Sequence, residues 1–214
     1  MSNKLWSVGQ YAFAGCKSLK KAEIDSVKVK YGQYAFTGCE SLEEFEVKSS
    51  VIPTGMFYEC DKLKTVIIDA AVNDIGEFAF AKTAVDKFIV QEGNITFKVQ
   101  TANYVISSDC KTLIAVSPKI SGAFSKNTIG GNEVTSIGKG AFSHNTSITS
   151  VNLPKVSYLD KYAMASSKGI TSVSFAKLTN IGEYAFFETS ITELPLFDSK
   201  EPSYASLDDT IKPS

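Results

Sequence analysis

Residues 8–24 read VGQYAFAGCKSLKKAEI, and residues 31–47 read YGQYAFTGCESLEEFEV. Both stretches carry an aromatic-Ala-Phe triplet, a Gly-Cys pair, a leucine and an alternating apolar pair at the same spacing. Self-similarity at a fixed period is typical of solenoid proteins, in which each repeat packs only on its neighbours. The repeat therefore decides the fold class before any single element is considered.

Five more copies follow, three of them after an interruption. Each has a large apolar anchor, and the anchors recur about every 22 residues with one gap of 62: Phe13, Phe36, Phe57, Phe80, Phe142, Met164 and Phe186. An alternating apolar pair follows every anchor, from Ala22 and Ile24 in the first copy to Leu194 and Leu196 in the last. A period of two is that of a half-buried strand, so each coil is predicted to contribute one short strand.

The aromatic-Ala-Phe stretch is too short for a helix that is stable alone. We expect a single helical or 3₁₀ turn there, packed on the neighbouring coil. The predicted fold class is an α/β repeat solenoid. It is a leucine-rich-repeat-like right-handed coil with one short parallel strand per ~22-residue repeat, short helical or 3₁₀ turns opposite the strands, and one inserted β-hairpin.

The interruption at about residues 94–128 supplies that hairpin. Residues 104–107 and 112–116 read as two strands around the turn at 108–111, so we expect a β-hairpin projecting from the solenoid. Residues 126–129 are predicted to supply the strand of the next coil, which brings the count to about eight coils. The predicted organisation is one solenoid domain over 1–198 and a polar C-terminal tail over 199–214.

Composition excludes several classes of function. Lys and Arg total 22 and Asp and Glu total 23, so the net charge of -1 gives no field that would gather nucleic acid. No apolar run approaches the ~20 residues of a membrane span, and the opening MSNKLWSVGQ is not a signal peptide. The sequence predicts a soluble protein with no nucleic-acid partner and no membrane insertion.

The residues capable of catalysis or metal binding have structural explanations. Cys16, Cys39 and Cys60 share one repeat position, where later copies place Thr, Asn or Ser, so they are predicted to be buried structural thiols rather than a zinc site. Cys110, in the hairpin turn, is expected to be the exposed thiol. His144 is expected to be a surface turn residue. No nucleophile elbow or phosphate loop is present, so no catalytic residue, metal or cofactor is predicted.

The repeat pattern I-G-x-x-A-F-x-x-C-x-x-L-x-x-V-x-I resembles the BspA-like, or Treponema-type, leucine-rich repeat over about residues 8–197. Proteins of that family are typically surface or secreted proteins of bacteria and some protists. They are associated with adhesion to host matrix proteins or other microbes, and the repeat itself carries no enzymatic activity. The resemblance implies an extracellular or cell-surface location and a protein or glycan partner.

Binding is expected on the strand face, where outward residues of successive coils form one column. The candidate contacts are Glu23, Glu46, Ile67, Ile89, Asn152 and Ser174. Adjacent apolar residues on a polar face mark a contact site, but cover by the hairpin explains Ile67 and Ile89 equally well. The alternative function is a structural spacer or stalk fragment of a larger surface protein, because the first coil has no preceding strand. A hydrolase is the least favoured hypothesis.

Overall fold

The computed structural model describes residues 5–24, 29–101, 103–194 and 203–204. The chain divides into two compact units, Met1–Val105 and Ile106–Ser214, and each is described by itself. The first unit contains β1 (Ser7–Val8), β2 (Lys30–Tyr31), β3 (Glu44–Val47), β4 (Val51–Ile52), β5 (Thr65–Ile68), β6 (Asp74–Ile75), β7 (Lys87–Val90) and β8 (Phe97–Gln100). After β9 (Tyr104–Ser107), which crosses the boundary, the second unit contains β10 (Thr112–Val116), β11 (Gly122–Phe124), β12 (Thr128–Ile129), β13 (Asn132–Glu133), β14 (Ser136–Ile137), β15 (Ile148–Asn152), β16 (Tyr158–Leu159), β17 (Ser172–Ser174), β18 (Asn180–Ile181) and β19 (Ser203–Tyr204).

The first unit is a stack of four coils. After its anchor, each of the second to fourth coils adds one strand to the parallel sheet β3-β5-β7, in which Phe45 faces Val66 and Val66 faces Phe88. These three side chains are at most 1% exposed and point into the core. The anchor rings stack behind them, with Phe57 centred 6.1 Å from Phe36 and from Phe80. Alternation of buried and outward residues therefore matches the period of two in the sequence.

The second unit repeats this plan with two parallel rows of strands. One row is β10-β14-β16-β18, in which Leu113, Ile137, Leu159 and Ile181 face each other in register. The other row is β11-β15-β17. Both rows bury their inward side chains, so the core runs between them.

The segments around the anchors are turns, and the prediction of an α/β solenoid with helical or 3₁₀ turns is wrong in this respect: none of the described residues is helical, and these coils consist of strands and turns. The reason is that left-handed residues lie two positions before and two positions after the anchor, for example Tyr34 (φ 56°) and Gly38 (φ 68°) around Phe36. A left-handed residue interrupts a right-handed helix. Instead, the amides of Tyr34, Phe36 and Gly38 donate to carbonyls of the next coil, at 3.0, 3.0 and 2.8 Å.

The interruption is also more regular than predicted. The two hairpin strands lie where the sequence placed them, at β9 and β10. The hairpin does not project, however, because β10 pairs in parallel with β14 as part of the repeat row. Val116 acts as an extra anchor, since its amide donates to the Ala141 carbonyl (2.9 Å) as the Phe142 amide donates to Ala163 (2.8 Å). The second unit thus has four coils as well, which gives eight in total.

Two further strand predictions need correction, and a third is not tested. Residues 126–129 do not supply the repeat strand, because β11 pairs with β15 and β12 instead forms an antiparallel hairpin with β13. A Gly130–Gly131 turn with both φ values positive closes this hairpin. No strand forms at Ala22 to Ile24, and Leu196 lies outside the described residues.

The single domain over 1–198 stays a prediction. Most of the tail at 199–214 also lies outside the described part of the chain, but Ser203–Tyr204 pairs with β18 as β19.

Candidate functional site: the strand face of the repeat

The outward side chains of the first unit form a grid on the sheet β3-β5-β7. One row of the grid is Glu44, Thr65 and Lys87, and the next is Glu46, Ile67 and Ile89. Three of the candidate contact residues are therefore direct neighbours across the sheet, at the spacing of about 4.8 Å between adjacent strands. The sequence placed these three residues correctly because alternation along each strand fixes which residues face outward.

Glu23 joins the same surface from the first coil. It forms an exposed ion pair with Lys21, and the two flank a groove of about 330 Å³. The groove is lined by Lys21, Ala22, Glu23, Ile24, Glu44, Phe45, Glu46, Lys48 and Ile67. The hydrogen bond and the positive charge of Lys21 lower the pKa of Glu23, and the carboxylate in turn raises the pKa of Lys21. Both groups are therefore charged at neutral pH.

The groove is lined by side chains of both charge signs. Lys48 Nζ lies 3.3 Å from a carboxylate oxygen of Glu46, whose other oxygen accepts a hydrogen bond from Gln91 Nε2 at 2.8 Å. Gln91 follows β7, so this bond bridges over β5 and the half-buried Ile67. Gln91 was not among the predicted contacts. Its position two residues after Ile89 nevertheless indicates that the two side chains point to the same face of the sheet. Cover of Ile67 and Ile89 by the inserted hairpin stays a prediction.

The strand face of the second unit is different in chemistry. Ser150 faces Ser172 and Asn152 faces Ser174, and all but the half-buried Ser150 are exposed. Asn152 and Ser174 are thus neighbours, as predicted. These short side chains offer hydroxyl and amide groups and little apolar area. The two halves of the predicted column therefore present charged and aliphatic chemistry in the first unit and neutral polar chemistry in the second.

The cysteine column belongs to the scaffold. Cys39 and Cys60 are fully buried, and each thiol donates to the anchor carbonyl of the preceding coil, Cys39 to Phe13 (3.2 Å) and Cys60 to Phe36 (3.1 Å). Ser167 makes the equivalent bond to Phe142, whereas Thr83 and Thr189 donate to the anchor carbonyls of their own coils, Phe80 and Phe186. A hydrogen bond with Cys39 and burial raise the pKa of Cys60 well above its usual range.

Two predictions about thiols are wrong. Cys110, predicted to be exposed, is only 4% exposed, because it is a left-handed residue (φ 59°) in the turn between β9 and β10 that packs inward. Cys16, predicted to be buried, is exposed in the first coil. The sequence could not distinguish Cys16 from Cys39 because their local sequences are nearly identical and only their position in the stack differs.

His144 occupies a turn of the repeat, as predicted from the sequence, and it is partly buried there. It is half-buried and left-handed (φ 56°), at the turn position that Gly15 and Gly38 occupy in other coils. No group of three His, Cys, Asp or Glu side chains that could hold a metal ion occurs in the part of the chain that the structure describes. A helix long and apolar enough to cross a membrane is likewise not found among the described residues.

Comparison with known proteins identifies the repeat. The family model of the BspA type leucine rich repeat region matches in six copies over residues 1–110 and 122–203. The chain belongs to the BspA-type leucine-rich repeat family. The gap in the match, 111–121, contains the turn segment around Val116, which lacks the aromatic-Ala-Phe signature.

Solved structures support the BspA-type fold. A leucine rich cell surface protein from Faecalibacterium prausnitzii is 22% identical, with a TM-score of 0.57, and the match covers 87% of this chain and 56% of that one. The pneumococcal vaccine antigen PcpA is 18% identical, with a TM-score of 0.58 and coverages of 88% and 53%. The chain thus spans just over half the length of each. No curated protein matches the sequence of this BspA-type chain.

Proposed function

We propose that this BspA-type chain is a non-enzymatic protein-binding or adhesion module of a cell-surface or secreted protein. The observation that supports it is the strand face of the first unit, where charged rows surround the half-exposed Ile67 and Ile89 beside a groove of about 330 Å³. The similarity to a cell surface protein of the same repeat type agrees with that location.

The chemistry of this face suits a protein partner. Interfaces combine an apolar centre with a polar rim, and here Ile67 and Ile89 lie at the centre while Glu44, Glu46 and Lys48 lie around them. The charges are solvated and paired, so they favour orientation and selectivity over affinity. Removal of the two isoleucine side chains should therefore weaken binding more than removal of any one charge.

A binding assay with matched variants tests the proposal. The probe is a panel of immobilised extracellular-matrix proteins, mucins and microbial surface proteins. One variant replaces Ile67 and Ile89 by alanine, and its control replaces the exposed ion pair Lys82 and Glu59 on the turn side of the coils. Hot-spot side chains at the centre of an interface cost about 2 kcal/mol or more when truncated, so the strand-face variant should bind at least ~10-fold more weakly. The control should stay within about twofold of the unchanged chain.

Three results would contradict the proposal. Equal binding by the strand-face variant would exclude this surface as the contact. No binding by the unchanged chain to any protein of the panel would favour a structural spacer. Turnover of ester, peptide or glycoside substrates above background would favour a hydrolase, which the proposal excludes.

A further inference from the structure

The strand β3 of the second coil is paired on one side only. It pairs with β5 along its whole length, but it pairs with no strand of the first coil, because residues 20–24 form no strand. The carbonyls of Glu43 and Val47 accept hydrogen bonds from the amides of Thr65 and Asp69 in the third coil, at 3.3 Å each. These two bonds fix which backbone groups of β3 face the third coil.

Alternation along β3 gives the direction of its remaining backbone groups. Successive residues of a strand in a parallel sheet hydrogen-bond to opposite neighbours. The N–H and C=O groups of Phe45 therefore point to β5, as the carbonyl of Val47 does, while those of Glu44 and Glu46 point toward the first coil. Within the part of the chain that the structure describes, no backbone group of residues 20–24 pairs with them. The edge thus presents two N–H donors and two carbonyl acceptors.

The groove of the strand face runs beside this edge. Residues 21–24 of the first coil line one side of it, and Glu44 and Glu46 line the other. Ala22 and Ile24, the apolar pair of the first coil, are only half-buried, whereas the equivalent pairs of the second and third coils are buried. Apolar side chains are therefore accessible next to the unpaired backbone groups.

The charges at the groove favour a basic occupant. Lys21 pairs with Glu23, and Lys48 pairs with Glu46. The exposed Glu44 forms no ion pair with any residue that the structure describes. A lysine or arginine on a neighbouring strand would lie beside this carboxylate, whereas an acidic residue there would place like charges opposite each other at a cost in free energy.

We propose that the open edge of β3 binds an extended, basic segment of a partner protein, which adds to the sheet β3-β5-β7 as a fourth strand. This assignment rests on the proposed function, because it specifies the partner of the same strand face. Backbone hydrogen bonds provide affinity in such a contact, and alternate side chains provide selectivity. Inward aliphatic side chains of the segment pack on Ala22 and Ile24, and its outward basic side chains lie beside Glu44. A glycan lacks the regular alternation of N–H and C=O groups that this edge requires.

Fluorescence polarisation with labelled peptides tests the proposal on the full chain. The probe is an eight-residue peptide of alternating lysine and valine, which should bind saturably. A peptide of alternating glutamate and valine should bind at least ~10-fold more weakly. The lysine-valine peptide with N-methyl groups on one central lysine and one central valine should lose at least ~10-fold as well, because neither of its edges then keeps all its donors.

Matched variants of the chain separate the charge from the backbone contact. Glu44→Lys should weaken binding of the lysine-valine peptide at least ~5-fold, whereas Glu43→Lys, the same change at an exposed residue that does not line the groove, should stay within about twofold. Glu46→Ala and Glu46→Pro both remove a carboxylate, but only the proline removes the N–H that faces the groove. Glu46→Pro should therefore bind at least ~5-fold more weakly than Glu46→Ala.

Amide hydrogen exchange measured by NMR detects the added strand itself. In the free chain the amides of Phe45 and Val47 should exchange slowly and those of Glu44 and Glu46 rapidly. The bound lysine-valine peptide should slow exchange at Glu44 and Glu46 at least ~10-fold. Unchanged exchange at these two amides would overturn the proposal, as would equal binding of all three peptides. Slow exchange at Glu44 and Glu46 without peptide would also overturn it, because the first coil would then close the edge itself.

Failure of strand addition can be distinguished from failure of the proposed function. If binding to a panel protein depends on Ile67 and Ile89 while exchange at Glu44 and Glu46 stays unchanged with that protein and with the peptide, strand addition is wrong and the binding module stands. If the peptide protects these two amides but no panel protein binds, strand addition is supported and the proposed class of partner is contradicted.

Discussion

Replacement of Phe57 by alanine tests how the stack of coils is stabilised. Phe57 is fully buried, and its ring lies 6.1 Å from Phe36, 5.1 Å from Phe45 and 6.1 Å from Phe80. Phe13 is the same residue type at the same repeat position, but it is 36% exposed and stacks on Phe36 alone among the described rings. The pair therefore compares an interior anchor with an end anchor in the same local sequence.

The expected cost follows from this difference in burial. A fully buried Phe→Ala change costs about 3–5 kcal/mol, and aromatic pairs add about 0.5–1.5 kcal/mol beyond burial, so Phe57→Ala should lower the free energy of unfolding by about 4–5 kcal/mol. Phe13→Ala removes about two thirds as much buried surface and one ring contact, so about 2 kcal/mol is expected.

Urea unfolding followed by circular dichroism measures both changes. With a slope of about 2 kcal/mol per molar urea, the midpoint should fall by about 2 M for Phe57→Ala and by about 1 M for Phe13→Ala. Phe57→Leu, which keeps most of the volume, should cost less than about 1.5 kcal/mol and stays measurable if the alanine variant does not fold. Equal losses for Phe13→Ala and Phe57→Ala would refute the reasoning, because the loss of stability would then not depend on how deeply the anchor is buried.

Three further predictions concern turns and close approaches. Gly76→Ala places a Cβ 2.4 Å from the Thr54 amide nitrogen and should cost at least ~2 kcal/mol in thermal unfolding, whereas Gly9→Ala should cost less than about 1 kcal/mol. Asn145→Ala removes the bonds of its side chain to the Ser117 carbonyl and to the Ser147 and Ile148 amides, and should cost about 2–4 kcal/mol, whereas the exposed Thr146→Ala should be neutral. Hydrogen bonds from Ser107 and the Lys111 amide lower the pKa of Asp109. Its contribution to stability is therefore present above the unfolded pKa near 4 and is lost as pH falls through the folded value. Asp109→Asn should flatten the acid limb of a plot of thermal midpoint against pH, and an unchanged limb would show that Asp109 contributes nothing.

Asn94-Ile95-Thr96 and Asn145-Thr146-Ser147 have the sequence of N-glycosylation sites. The Asn94 side chain donates to the carbonyls of Asp69 and Val72 and accepts from the amides of Thr96 and Phe97. Asn145 is 1% exposed and similarly engaged. Both asparagines stabilise turns in the folded chain, so neither amide is available for a glycan there. Sequence alone could not exclude modification, since both motifs are complete.

The strands were predictable because their signal is local. The apolar residues Phe45 and Val47 alternate with polar ones, and this pattern predicted both the buried pair and the outward Glu46 between them. The turns were not predictable in the same way, because aromatic-Ala-Phe is compatible with a helical turn. Hydrogen bonds to the next coil favour the left-handed geometry of Tyr34, which costs about 1–2 kcal/mol for a residue other than glycine. The fifth coil was counted, but its strand was placed at 126–129 instead of at Gly122–Phe124, because Val116 replaces the aromatic anchor that marks the other coils.

The outward positions of the candidate site were predictable, because they too follow from alternation along each strand. Register follows from the repeat, so Glu46, Ile67 and Ile89 could be placed side by side. The Gln91 bond to Glu46 and the groove beside Glu23 depend on side-chain conformation across three coils, which periodicity does not determine. Exposure of Cys16 and Phe13 depends on their place at the end of the stack, which no local motif encodes.

Carboxylate footprinting tests the binding proposal most directly. The chain is labelled with a carbodiimide and an amine, alone and with the panel protein that it binds, and the labelled positions are quantified by mass spectrometry. The account predicts that the partner reduces labelling of Glu23, Glu44 and Glu46 on the strand face and leaves the turn-side Glu59 unchanged. Protection of Glu59 with full labelling of the three strand-face carboxylates would contradict it.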